Sequence, residues 1–272
     1  MRSLVILGEF NSMQKTLVAT TIAALLGMAG AVHAADIGPS SMKDVPYTPT
    51  VTWAGFYMGA HVGGVWADLQ NTDTSGIWAP FLDNIGSKWS DTASGVIGGG
   101  QVGFNWLVPG NPTFGPGYLV FGLEGDFGGL GLSHNSHPFG NAFLTSGEDS
   151  GFYGDVTVRA GYAVGPAFFY GKAGWAYFDS NLTLRDAGFI CPASSACSIS
   201  RSGLNGWTVG GGVEYMINPN WGAKVEYRYF DFGNSTQDLY PFSANGFERN
   251  LTANAVTVGF NYYFGKTYQP LK

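Results

Sequence analysis

Between residues 55 and 264 apolar and polar side chains alternate with a period of two, the mark of strands whose two faces meet different surroundings. Eight such segments are legible, each roughly 10–13 residues, the length a tilted membrane strand requires. The first, Gly55 to Ala67, sets Phe56, Met58, Ala60, Val62 and Trp66 against Tyr57, Gly59, His61 and Gly63. The second, Gly95 to Leu107, opposes Val96, Val102, Phe104 and Trp106 to Gln101, Gly103 and Asn105. The third, Leu119 to Phe127, opposes Leu119, Phe121, Leu123 and Phe127 to Glu124 and Asp126. In the fourth, Phe152 to Tyr162, Val156, Val158, Ala160 and Tyr162 face away from Asp155, Thr157, Arg159 and Gly161. The fifth, Ala167 to Phe178, separates Phe169, Ala173, Trp175 and Tyr177 from Tyr170, Lys172 and Gly174. The sixth, Asn205 to Met216, separates Trp207, Val209, Val213 and Tyr215 from Thr208, Gly210, Gly212 and Glu214. The seventh, Trp221 to Phe230, places Trp221, Ala223, Val225, Tyr227 and Tyr229 opposite Lys224, Glu226 and Arg228. The eighth, Ala253 to Phe264, places Val256, Val258, Phe260, Tyr262 and Phe264 opposite Thr257, Gly259 and Asn261.

A soluble barrel also alternates, but its polar face meets water and is rich in Lys and Glu. Here the polar face is crowded with glycine, which suits a narrow interior. Trp66, Trp106, Trp175, Trp207 and Trp221 fall near the ends of the segments, as interfacial girdles do. The connections run alternately long and short. The short ones pass through 109–117, Val164-Gly165-Pro166 and Asn218-Pro219-Asn220. Short turns on one side and long loops on the other are the habit of membrane barrels. The fold class expected is all-β, an eight-stranded antiparallel up-and-down transmembrane β-barrel. Such a barrel has an interior filled by side chains or just wide enough for one small ligand.

Composition agrees. Of 272 residues 42 are Gly, roughly twice the usual share, and only 12% are charged, about half the norm. Aromatic residues make up 15% of the chain, which excludes intrinsic disorder, and Gly shows no every-third repeat, which excludes collagen. The net charge of −6 argues against a general affinity for nucleic acid. Near the N-terminus, MQKTLVATTIAALLGMAGAVHA from Met13 has a basic start, a short apolar stretch and Val32-His33-Ala34 before a cleavage point. That pattern reads as a secretory signal removed after Ala34, with Met13 as the start codon preferred over Met1. The absence of Cys near that point excludes a lipoprotein. The expected organisation is a signal and extension over 1–34, a periplasmic segment over 35–52, the barrel over 53–264 and a tail over 265–272.

Several runs resemble one family: WAGFYMGAHVGG from Trp53, FGLEGDF from Phe121, VRAGYA from Val158 and YGKAGWAY from Tyr170. So do GWTVGGGVEY from Gly206, VEYRYFDFG from Val225 and VTVGFNYYF from Val256. The chain resembles the small alphaproteobacterial outer-membrane β-barrels, which include Brucella and rhizobial major surface proteins and Bartonella haemin-binding proteins. The resemblance implies an OmpA-like barrel, an outer-membrane location and surface or envelope roles. It assigns no residue here to haemin. Members commonly end on the last aromatic of the last strand, which signals barrel assembly. Here Phe264 holds that place with eight residues after it.

The inward charges expected are Glu124, Asp126, Asp155, Arg159, Lys172, Glu214, Lys224, Glu226 and Arg228. Charges taken out of water need partners, so a salt-bridge network is the first reading and a gated ion path the alternative. Glu124 and Asp126 are expected to face Arg159, and Glu214 to lie diagonal to Lys224. Glu124 and Asp126 as a catalytic pair are weaker, since nothing marks a cleft. The GxGxxG run at Gly98–Gly103 lies inside a strand with no helix after it, so it has no phosphate-binding terminus. His134 and His137 lack the neighbours a metal site needs. His61 reads as a satisfied lumen residue. No His follows His137 and no G-x-S-x-G is present, which argues against an enzyme. Cys191 and Cys197 in the third long loop are expected to form a disulfide, the alternative being two thiols. No cofactor is expected. The partners expected are outer-membrane lipid and lipopolysaccharide, the barrel-assembly machinery, and haemin or host ligands at the loops. The function expected is a structural, surface-interacting barrel with a plugged lumen. Its alternative is ligand binding or narrow porin-like passage.

Overall fold

The computed structural model describes residues 52–74, 86–108, 117–136, 145–186, 197–198, 202–238 and 245–265. Within them lie β1 (Gly55–Asp73), β2 (Lys88–Val108), β3 (Tyr118–Ser136), β4 (Thr145–Val164) and β5 (Ala167–Asp186). They continue with the two-residue β6 (Cys197–Ser198), then β7 (Ser202–Asn218), β8 (Trp221–Asp238) and β9 (Asn245–Tyr263). Each long strand pairs antiparallel with the next, β5 with β7 directly, and β9 closes on β1. The result is a closed eight-stranded up-and-down barrel, with β6 a short addition to the loop end of β5 at Thr183 and Leu184. No helix occurs among the described residues.

All eight inward and outward faces follow the alternation. The long strands, however, run 17 to 21 residues, well beyond the expected 10–13. The cause is an inversion of the pattern along each strand. In β1 the outer face is apolar from Phe56 to Trp66, and beyond it Asp68 and Gln70 point outward while Val65, Ala67 and Leu69 are buried inside. In β2, Ser90, Thr92 and Ser94 face outward while Ala93 and Ile97 face in. The hydrogen-bonded ladder thus continues past the point where one face stops being lipid-like. Phe56 to Trp66 covers about 33 Å of strand at 3.3 Å per residue, or about 25 Å of height at a tilt near 40°. That matches the apolar band of a membrane barrel. Trp66, Trp175 and Trp207 therefore mark the upper edge of the band, in mid-strand, whereas Trp106 and Trp221 stand near the short-turn end.

The short turns are built locally. Gly165 supplies the left-handed conformation (φ +55°) that joins β4 to β5. Asn218 Oδ1 accepts hydrogen bonds from the amides of Asn220 and Trp221, each at 3.0 Å, closing the turn from β7 to β8. Residues 109–116 lie outside the described residues, as do 1–51 and 266–272, so the expected signal lies there too, as do the periplasmic segment and tail apart from Thr52 and Gly265.

The ladders do not all reach the long-loop end. Those between β1 and β2, β3 and β4, β4 and β5, and β9 and β1 extend close to the strand tips. The β2–β3 ladder stops at Ser94 opposite Ser133, and the β7–β8 ladder at Trp207 opposite Asp231. Beyond these points the described residues of β2 and β3, and of β7 and β8, share no ladder pairing, although Gly206 of β7 still lies against Asp231 and Phe232 of β8. Inside this end of the barrel sits an apolar layer that includes Leu69, Ile97, Leu130, Leu132, Phe178, Phe232 and Leu251.

Candidate functional site

The lumen is stratified. At the long-loop end the apolar layer fills it, with Phe178 of β5 and Phe232 of β8 at a centroid distance of 5.8 Å. At the short-turn end a second layer holds Trp53, Tyr57, Val120, Ala163, Phe168, Tyr170, Met216 and Tyr263. Trp53 precedes the first strand and lies across this mouth, 1% exposed, with Phe168 at 5.2 Å and Tyr263 at 5.7 Å. Its carbonyl accepts a hydrogen bond from Asn105 Nδ2 at 3.0 Å. Between the two layers lie all nine charged residues read as inward from the sequence, each almost wholly buried.

Arg159 is one hub. Its Nε donates to Asn105 Oδ1 at 3.1 Å, Nη1 to Glu124 Oε2 at 3.1 Å, and Nη2 to Glu214 Oε2 at 3.4 Å. Its guanidinium lies over the rings of Tyr57, Phe168 and Tyr170 at 4.6–5.0 Å, which adds cation–π attraction to the ion pairs. Lys172 is the second hub, with its Nζ 2.6 Å from Glu124, 3.0 Å from Asp126 and 3.2 Å from Glu226. Arg228 is the third. It meets Asp155 at 2.7 Å, Glu226 at 3.0 Å and Asp126 at 3.5 Å. Lys224 stands 3.5 Å from Glu226 and 3.8 Å from Glu124.

Two expected pairings are corrected. Asp126 does not meet Arg159; it meets Lys172 and Arg228, and on the adjacent strand it stands directly opposite Asp155. Glu214 is directly opposite Lys224, not diagonal to it, and its ion pair is with Arg159 of β4, two strands away around the wall. Cross-strand register governs neighbours on a sheet, but in so narrow a closed barrel long side chains also meet across the lumen.

A polar relay not foreseen from the sequence runs beside the charges. Tyr263 donates to Glu214 Oε1 at 2.9 Å, and Asn261 Nδ2 donates to the same oxygen at 2.8 Å. Asn261 Oδ1 accepts from Gln101 Nε2 at 2.7 Å, and Gln101 Oε1 accepts from His61 Nδ1 at 2.6 Å. His61 Nε2 then accepts from the Tyr153 hydroxyl. Because a carboxylate only accepts, Glu214 fixes the direction of every bond along this chain, including the imidazole tautomer. Tyr57 and Tyr170 hydroxyls likewise donate to Glu124 and Glu226, at 2.6 and 2.7 Å. The alternation places Tyr57 and Tyr170 on the polar face, but period two assigns no partner to a hydroxyl.

The remaining sites stand apart from this layer. Gly98–Gly103 forms part of β2, with no helix after it. His134 lies in β3 at the long-loop end. His137 and Cys191 fall outside the described residues, and of Cys197 only its place in β6 is described. Among the described residues no group of His, Cys, Asp and Glu is arranged to hold a metal ion. Phe264 closes the last strand, its amide donating to Phe56 O at 3.0 Å, with its ring 5.4 Å from that of Phe56 on the outer face.

An apolar outer belt bounded by aromatic side chains, around a lumen of buried charge, defines a transmembrane β-barrel of the outer-membrane type. Residues 21–264 match the family described as outer membrane protein beta-barrel domain, and the chain belongs to that family. It is 30% identical over 257 residues to the 31 kDa outer-membrane immunogenic protein of Brucella melitensis, covering 92% of this chain and 100% of that one. It is 28% identical to the 22 kDa outer membrane protein of Rhizobium leguminosarum bv. viciae, covering 82% of this chain and 83% of the other. Among solved structures, OprG of Pseudomonas aeruginosa aligns with a TM-score of 0.46 and 15% identity, over 78% of this chain and 97% of that chain. This is an outer-membrane protein, as the sequence resemblance implied.

Proposed function

We propose that this protein is a non-catalytic, non-conducting barrel that anchors its long-loop end at the membrane surface for contact with other molecules. One observation carries the reading: a layer of interlocked buried charges fills the lumen and is closed above and below by apolar side chains. Moving an ion through it would require separating charges that have exchanged water for one another, which costs several kcal/mol per ion. The same closure argues against catalysis. The lumen carboxylates lie beside lumen bases, His61 is held between Gln101 and Tyr153, and all of these side chains are buried. The apolar belt would meet lipid and lipopolysaccharide, and Phe264 would be read by the assembly machinery.

Planar bilayers containing the refolded chain test this directly. The expected record is a flat baseline at 100 mV. Discrete conductance steps would overturn the plugged-lumen reading in favour of narrow passage. A parallel absorbance titration with haemin is expected to show no saturable binding, and a saturable Soret shift would instead support ligand capture at the loops.

A further inference from the structure

The charges between the two apolar layers do not balance. Five carboxyl groups, on Glu124, Asp126, Asp155, Glu214 and Glu226, meet four permanent cations, Arg159, Lys172, Lys224 and Arg228, and all nine residues are buried. His61 does not supply a fifth cation. Its Nδ1 donates to Gln101 Oε1, while its Nε2 accepts from the Tyr153 hydroxyl and from Arg228 Nη2 at 3.4 Å, the bonding of a neutral imidazole. Arg249 is buried too, but it stands six residues farther along β9 than Ala255, the residue opposite Arg228. That is about 20 Å at 3.3 Å per residue, outside the charged layer.

The surplus falls at one place. Asp126 of β3 and Asp155 of β4 are directly opposite each other in the ladder, both on the inner face. Residues so placed hold their Cβ atoms about 4.5–5.5 Å apart, which puts the two carboxyl groups within reach of each other. The other acids of the layer have no acid opposite them. Glu124 stands opposite Gly103 and Thr157, Glu214 opposite Phe168 and Lys224, and Glu226 opposite Gly212 and Thr257. The facing aspartates also draw on one guanidinium, since Arg228 lies 2.7 Å from Asp155 Oδ2 and 3.5 Å from Asp126 Oδ1 while serving Glu226 at 3.0 Å. Lys172, the second cation at Asp126, is divided among Glu124, Asp126 and Glu226. On both aspartates Oδ1 is buried with no hydrogen-bond partner among the described residues.

We infer that Asp126 and Asp155 bind one proton between them, so that the pair carries a single negative charge and the layer is neutral. Two carboxylates sharing a site resist ionising together. With one of them protonated, its O–H donates to the other in a charge-assisted bond, which gives the orphaned oxygens a partner. A metal ion would fill the deficit less well, because Lys172 and Arg228 already touch the pair and repel it. Of the titratable groups around the pair, His61 and Tyr153 are neutral donors and acceptors in the relay, and Glu124, Lys172, Glu226 and Arg228 are engaged in ion pairs. The proton therefore belongs to the aspartates. This inference rests on the plugged-lumen reading in one respect: a sealed layer has no access to counter-ions from outside.

Infrared spectra of the refolded full chain in lipid vesicles at pH 7, with carbon-13 in the aspartate side-chain carboxyls, test the assignment. A protonated carboxyl shows a carbonyl stretch that an ionised one lacks, and the label identifies it as aspartate. One labelled band of this kind is expected in the parent protein, and its loss is expected in both Asp126→Asn and Asp155→Asn. Asp155→Asn should also keep the parent's urea midpoint, since an amide replaces a neutral acid and its oxygen still accepts from Arg228. A parent spectrum without the band overturns the proposal, as does a band that survives in both variants. An Asp155→Asn midpoint lowered as far as that of Arg159→Ala overturns it as well, by showing Asp155 to be an ionised partner. Bilayer conductance of the same preparation separates the two readings: a missing band in a silent barrel rejects the shared proton alone, and a missing band in a conducting barrel rejects the plug with it.

Discussion

Arg159 shows how much one residue can hold in a closed lumen. Its guanidinium compensates Glu124 and Glu214 at once, and it also donates to Asn105 Oδ1 and the Tyr263 hydroxyl. Removing one partner of a buried ion pair is costlier than the pair was worth, because the other charge stays buried without compensation. Arg159→Ala should therefore destabilise the barrel by about 3–5 kcal/mol in urea unfolding from lipid vesicles. Arg159→Lys should recover only part of this, since an ammonium cannot reach two carboxylates and an amide with a planar fork. An unchanged urea midpoint for the alanine variant would mean that water, not Arg159, satisfies the two glutamates.

Along a strand the same physics appears as alternation. Lys224 and Glu226 of β8 are buried in the lumen, and Val225 between them faces outward in line with Val213 and Val258 of the neighbouring strands. Val225→Arg should cost about 2–4 kcal/mol, the penalty for Arg on a lipid face near mid-bilayer. Lys224→Arg keeps its charge inside and should cost far less, by the same vesicle unfolding measurement. Between strands, glycine allows backbones to approach. A Cβ on Gly128 would stand 2.2 Å from the carbonyl oxygen of Gly98 and 2.6 Å from Gly99 Cα, whereas one on Gly129 would meet nothing within 4 Å. Gly128→Ala should thus lose roughly 1–3 kcal/mol through overpacking. Gly129→Ala, one residue along on the outer face, should be nearly neutral.

At the scale of the whole molecule, the inversion of each strand divides the barrel into two regimes. Below the aromatic margin it is apolar outside and charged inside; above it, polar outside and apolar inside, like a small soluble sandwich. The membrane part should survive detergent. An unboiled sample is expected to migrate apart from the boiled one on an SDS gel, and identical mobility would contradict a closed barrel. Processing is expected to leave Ala35 as the first residue of envelope material, as Edman sequencing would read it. Recovery of Met13 or Met1 at the N-terminus would overturn the signal assignment.

The sequence by itself determined which residues face lipid and which face the lumen. In β1 through β9, Phe56, Val96, Leu123, Val158, Trp175, Val209, Tyr227 and Phe260 could be assigned outward from period two alone, since successive side chains in a strand must point to opposite faces. It determined the strand count for the same reason, and it pointed nine charges inward, whereas the structure buries those nine and Arg249 as well. The tertiary structure alone decided what those charges touch. Arg159 reaches Glu214 from two strands away, and Asp126 passes over Arg159 for Lys172 and Arg228, because closing the sheet brings separate parts of the wall within side-chain reach. It also decided where the strands and their ladders end. Above Trp66 the apolar and polar faces exchange roles, so local polarity no longer reports that the ladder continues. A ladder that stops at Trp207 and Asp231 is a property of two strands together, which no pattern within either one records.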